Sequence, residues 1–75
     1  MREVELIEAI YYYNIAKQKI RLFESKYKMG LEDFEKKLTK EDFERWDDLL
    51  EWKAYSRLLK EKEEIIKKHG YIKVS

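Results

Sequence analysis

Proline is missing from this 75-residue chain, and glycine occurs only twice, at Gly30 and Gly70. These two residue types interrupt helices most strongly, so the stretches before Gly30 and between Gly30 and Gly70 run without a breaker. Cysteine is also missing, which excludes a disulfide staple, a thiolate metal site and a cysteine nucleophile. The single histidine, His69, gives no second imidazole for metal ligation, and no Ser-His-acid set or glycine-rich phosphate loop can be assembled. No apolar run approaches the ~20 residues of a membrane span, and the amino terminus lacks a signal-peptide apolar segment. The expectation is a cytoplasmic, non-enzymatic protein with no cofactor, no metal and no membrane partner.

What remains is dense in two kinds of residue. Hydrophobic and charged residues each make up 44% of the chain, and Asn14 and Gln18 are the only amides. Abundant Glu, Lys, Leu and Ile favour helix nearly throughout, and eleven aromatics are too many for a disordered tail. The length allows one small domain, 1–75, which without staples needs very good helix packing or a partner subunit. The Glu and Lys enrichment, with scarce amides and methionine, suits a heat-adapted source. Net charge is +1, divided as +2 over residues 1–30, −5 over 31–51 and +4 over 52–75.

Capping chemistry places three helices. The first is predicted over about 2–28, with Glu3, Glu5 and Glu8 at its positive end and Lys26 and Lys28 at its negative end. Gly30 marks the break, and 31–38 reads as a short helix with Leu31, Phe34 and Leu38 on one side. Thr39 and Asp42 have the spacing of a reciprocal capping box, so the third helix is predicted over 40–69, stopped by Gly70. Residues 70–75 read as an extended tail.

Neither long helix has a single apolar stripe. On the first, Leu6, Ala9, Ile10, Tyr13, Ala16, Ile20, Phe23 and Tyr27 share a face, with Val4, Ile7, Tyr11, Ile15 and Leu22 nearly opposite. On the third, Phe43, Trp46, Leu50, Ala54, Leu58 and Ile65 form one stripe and Leu49, Trp52, Tyr55, Leu59 and Ile66 another. A surface helix buries one stripe, so a hairpin should leave one stripe per helix for another surface to cover. Opposite charges align only if the long helices run antiparallel, with Glu3, Glu5 and Glu8 toward Lys60, Lys62, Lys67 and Lys68, and Lys17, Lys19, Arg21 and Lys26 toward Glu44, Asp47, Asp48 and Glu51. The expected architecture is all-α: an antiparallel helical hairpin with a short middle helix. Self-association through Val4, Ile7, Tyr11, Ile15 and Leu22 should make a homodimeric four-helix bundle.

The remaining motifs have bland readings. Tyr11, Tyr12 and Tyr13 point about 100° apart and cannot stack one ligand together; Tyr13 belongs in the core, Tyr11 in an interface and Tyr12 at a boundary. Glu41, Glu44, Asp48 and Glu51 read as a solvated acidic face matched to a basic partner, because a di-iron bundle needs Glu-x-x-His pairs. Trp46 and Trp52 fall on different stripes, one suited to the hairpin interior and the other to an interface. The basic end, Lys60, Lys62, Lys67, Lys68 and Lys73, is interleaved with Glu61, Glu63 and Glu64, which argues against a nucleic-acid helix.

One stretch resembles a known pattern. Lys26-Tyr27-Lys28-Met29-Gly30-Leu31-Glu32-Asp33-Phe34-Glu35 is similar to K-Y-G-M-S-x-E-E-F, and Asp47-Asp48-Leu49-Leu50-Glu51-Trp52-Lys53-Ala54-Tyr55 to D-D-x-x-E-W-x-A-L/Y. These segments occur in short helical proteins, many of them archaeal, that resemble the antitoxin partners of two-gene toxin–antitoxin modules. Lys28 stands where that pattern has a helix-ending Gly, and Gly30 where it has a Ser or Thr cap, so the break is expected two residues later here. The resemblance implies a protein partner, a toxin encoded next door, docked around Trp52, Tyr55, Glu44, Asp48 and Glu51, with Tyr71, Ile72 and Val74 adding a strand to its sheet edge. The expected function is a non-enzymatic protein-binding module. A nucleic-acid-associated structural protein and an orphan helical bundle are the alternatives.

Overall fold

The backbone of the first helix turns left-handed at Lys28, φ 56°, and this ends the helix. The Lys28 amide still donates to the Glu24 carbonyl at 2.7 Å, so the last turn closes on a residue in the conformation that glycine normally supplies. Gly30, by contrast, has φ −81° and ψ 173°, an ordinary extended geometry open to any residue, and a Cβ there would meet nothing. The break therefore sits at Lys28, where the resembled pattern has its Gly, and not two residues later. Lys28→Gly should stabilise the protein by about 1 kcal/mol, because a side chain in the left-handed region costs that much. Gly30→Ser should add a few tenths more, since the N-cap of the next helix has no side-chain hydrogen bond. A lower melting temperature for Lys28→Gly would contradict this account.

The computed structural model describes residues 2–69. Helix α1 spans Arg2–Tyr27, α2 Leu31–Lys37 and α3 Phe43–Lys68, and the described residues include no strand. The long helices, 26 residues each, are about 39 Å long and pack against each other. Lys26 Nζ meets Asp48 Oδ2 at 2.9 Å near one end, and Glu5 Oε1 lies 3.8 Å from His69 Nε2 at the other. That is the antiparallel sense the charge pattern demands.

Helix α3 begins three residues later than expected. Asp42 Oδ2 turns back to accept from the Thr39 amide at 2.9 Å and the Thr39 hydroxyl at 3.0 Å. The carbonyl of Thr39 accepts from Trp46 Nε1 at 2.8 Å as well as from the Asp42 amide at 3.2 Å. Thr39 and Asp42 thus close a turn instead of capping at position 39, and Asp42 becomes the N-cap, with its carbonyl accepting from the Trp46 amide at 3.0 Å. At the other end His69 caps α3, its amide reaching the Ile65 and Ile66 carbonyls. Leu38, expected in α2, is its C-cap. The predicted roles of Gly70 and the tail lie outside the described residues.

The core is small and graded. Ala9, Ala16 and Phe23 succeed one another at seven-residue spacing on α1 and face Leu49, Trp52 and Ile66 on α3, while Phe34 plugs the turn from α2. Trp52 stacks on Phe23 at 5.4 Å between ring centroids and meets Phe34 at 5.3 Å; Tyr27 lies 4.3 Å from Phe34. Ile20, Met29, Leu31, Leu38 and Tyr55 pack around this cluster. The molecule measures 47 × 25 × 15 Å. Two long helices with one short cover make less than the two packed layers between which a domain usually buries its apolar faces.

Candidate functional site

The α3 stripes are assigned the other way round from what a docking surface centred on Trp52 requires. Trp52 is 1% exposed and Tyr55 packs against the same cluster, so these two are core and core margin. The stripe left uncovered on α3 holds Phe43 (76% exposed), Leu50 and Trp46 (39%). Trp52 takes the interior because Phe23, Tyr27 and Phe34 offer it aromatic faces on three sides, while Trp46 spends its indole N–H on the Thr39 carbonyl. On α1 the outer stripe is where the periodicity puts it. Val4, Ile7 (66% exposed), Tyr11 and Leu22 are exposed, and Ile15 is half-buried.

Helical geometry separates these two patches. At about 100° per residue, Val4, Ile7, Tyr11 and Leu22 lie nearly opposite Ala9, Ala16 and Phe23. Phe43 and Leu50 likewise lie nearly opposite Trp52. The patches therefore occupy the two outer edges of the hairpin, and one flat partner cannot cover both.

The acidic face is also divided. Glu44 and Glu51 are exposed, but Asp48 is turned inward. Its Oδ2 accepts from the Tyr27 hydroxyl and from Lys26 Nζ. The Tyr27 bond, seconded by Lys26, holds the Asp48 carboxyl below the usual carboxylate range against the opposing effect of burial. Burial, then the bond to Asp48, pushes the Tyr27 hydroxyl above its ordinary value. Lys26 is raised chiefly by its bond to Asp48. Asp42 is lowered by the Thr39 amide and then by the Thr39 hydroxyl.

These directions fix a pH window. A depressed carboxylate stabilises above its unfolded value, about 3.9, and that contribution disappears as pH falls through the folded value. A raised tyrosine stabilises below about 10, and the contribution is lost as pH climbs through its folded value. Asp48→Asn should flatten the acid limb of a stability–pH curve, and Tyr27→Phe the alkaline limb. Unchanged limbs in chemical-denaturation series at several pH values would contradict the Tyr27–Asp48 pairing.

The three tyrosines do not make one platform. Tyr11 and Tyr12 meet edge to face at 5.1 Å, Tyr13 is half-buried under Lys17, and Lys62 lies 5.6 Å over the Tyr12 ring. At the basic end Lys67 pairs with Glu63 at 3.9 Å. Between the turn and α3, a recess of about 230 Å³ has Phe34, Met29 and Leu38 as its floor and Lys37 and Arg45 at its rim. Among the described residues no three metal-ligating side chains converge, and no helix is long and apolar enough to cross a membrane. Tyr71, Ile72 and Val74 lie outside the described residues. No protein-family model, curated protein or solved structure matches the chain.

Proposed function

We propose that this chain is a non-enzymatic protein-binding module, antitoxin-like in that its work is to occupy the surface of a partner encoded beside it. The observation that carries the reading is the pair of uncovered apolar edges, Val4, Ile7, Tyr11 and Leu22 on α1 and Phe43, Trp46 and Leu50 on α3. Large apolar side chains grouped this way on the outside of a helical hairpin mark association surfaces. The α3 edge is the better toxin-facing candidate. Glu44, Asp47 and Glu51 are exposed near Phe43 and Leu50, and they suit a basic partner. The nucleic-acid reading draws less support, because Lys62 and Lys67 at the basic end are already engaged by Tyr12 and Glu63.

The test is co-expression with the product of the adjacent gene, followed by co-purification with the wild type, Leu50→Glu and Phe43→Glu. Both residues are exposed, so the variants should fold normally by circular dichroism. A stable complex that both variants lose supports the reading. No complex, with duplex DNA bound in a steeply salt-dependent way, overturns it in favour of a nucleic-acid role.

A further inference from the structure

The outer stripe of α1 is nearly a palindrome. Tyr11 and Ile15 lie equally far on either side of Tyr13, and so do Val4 and Leu22. Two copies of a helix that pair antiparallel about that point place these residues against each other. Tyr11 then meets the partner's Ile15 and Val4 meets the partner's Leu22, each contact occurring twice by symmetry.

Charge supports the same register. Glu8 and Lys19 are exposed and flank the stripe on one side, five residues before and six after Tyr13. In an antiparallel pair the flanks on the same side meet, so Glu8 faces the partner's Lys19. A parallel pair would bring the acidic start of each helix together and the basic ends together. The α3 stripe has no such symmetry.

We propose that α1 is a homodimerisation helix that pairs antiparallel with α1 of a second copy, in the register centred on Tyr13. The proposal rests on the protein-binding reading and names one of its partners. Because the stripe lies nearly opposite α3, the dimer is a flat row of four helices with the two copies of α1 in the middle. It is not the closed bundle that two apolar stripes per helix first suggest, and it leaves the Phe43–Leu50 edge free for a different protein. From Val4 to Leu22 the seam is about 27 Å long. A single helix pair of that length lies at the small end of specific interfaces, so association in the micromolar range is expected.

The chain has no cysteine, so single thiols test the register directly. Val4→Cys and Leu22→Cys, mixed in equal amounts and oxidised, should cross-link to each other, and mass spectrometry identifies the mixed species. Either variant alone should cross-link poorly, because its two thiols lie at opposite ends of the seam. Equal or stronger cross-linking within each variant alone indicates parallel pairing and overturns the proposal. Sedimentation supplies the second measurement. Glu8→Lys and Lys19→Glu should each weaken dimerisation roughly tenfold, and the double variant should restore it. A wild type that stays monomeric at high micromolar concentration overturns the dimer but leaves the adjacent-gene complex to stand or fall on its own test. A wild-type dimer without the mixed cross-link, or a double variant that fails to recover, overturns the register alone.

Discussion

Trp52→Ala is expected to cost about 3–5 kcal/mol, the range for emptying a fully buried aromatic site. The ring is 1% exposed and contacts aromatic side chains from both other helices, so its removal opens a void that Phe23, Phe34 and Tyr27 cannot all collapse into. Small domains have only about 5–15 kcal/mol of total stability, so the variant should populate the unfolded state measurably at 37 °C. Trp46→Ala makes the comparison. That ring is 39% exposed, and its main fixed contact is the hydrogen bond from its Nε1 to the Thr39 carbonyl. A cost of about 1 kcal/mol is expected there. Urea titrations followed by circular dichroism give both numbers. Equal costs would mean that the two α3 stripes are not distinguished as inner and outer.

Phe34→Ala is the second large effect, about 3 kcal/mol or more. Helix α2 has seven residues, too few to persist alone in water. It is held by the burial of Phe34 among Tyr27 and Trp52, with the Lys53–Glu35 pair at 2.9 Å adding little because both ends are exposed. Without the Phe34 ring, α2 should detach before the hairpin opens. Trp52 would then meet water on one side, and its fluorescence should shift to longer wavelength ahead of the loss of helical signal. Coincident transitions in Phe34→Ala would show that α2 is not a separable cover.

The helices, their order and their antiparallel sense were legible because they rest on dense signals: breaker-free stretches, charge blocks and stripes. The phase of α3 was not. Each of its stripes carries one tryptophan and several aliphatics, so composition alone is nearly indifferent between them. The choice is made in three dimensions by Phe34, which can reach only one stripe, and by the Thr39 carbonyl, which captures Trp46. The position of the break is hidden for a related reason. Left-handed residues are most often glycine, which singles out Gly30 in the sequence, yet the residue with positive φ is Lys28. The spacing of Thr39 and Asp42 marks them as partners, but whether such a pair closes a turn or starts a helix depends on what else takes the Thr39 carbonyl. The exposed edge of α1 followed from periodicity alone, since its inner face is built on Ala9 and Ala16, which admit close approach of α3.

That same series, Ala9, Ala16, Phe23, has a consequence for motion. Buried volume on α1 grows toward the turn, where Trp52, Phe34 and Tyr27 gather, and shrinks toward the open end. The two halves of the hairpin therefore differ in local opening free energy. Amide protons around residues 20–27 and 49–55 should exchange only through global unfolding, whereas those of residues 4–11 should exchange through fraying of the open end. Val4, Ile7 and Tyr11 lie on the half that opens first, so whatever docks there also closes the hairpin behind it. Binding at that edge would register as slowed exchange on the inner faces of both helices, well beyond the atoms it touches.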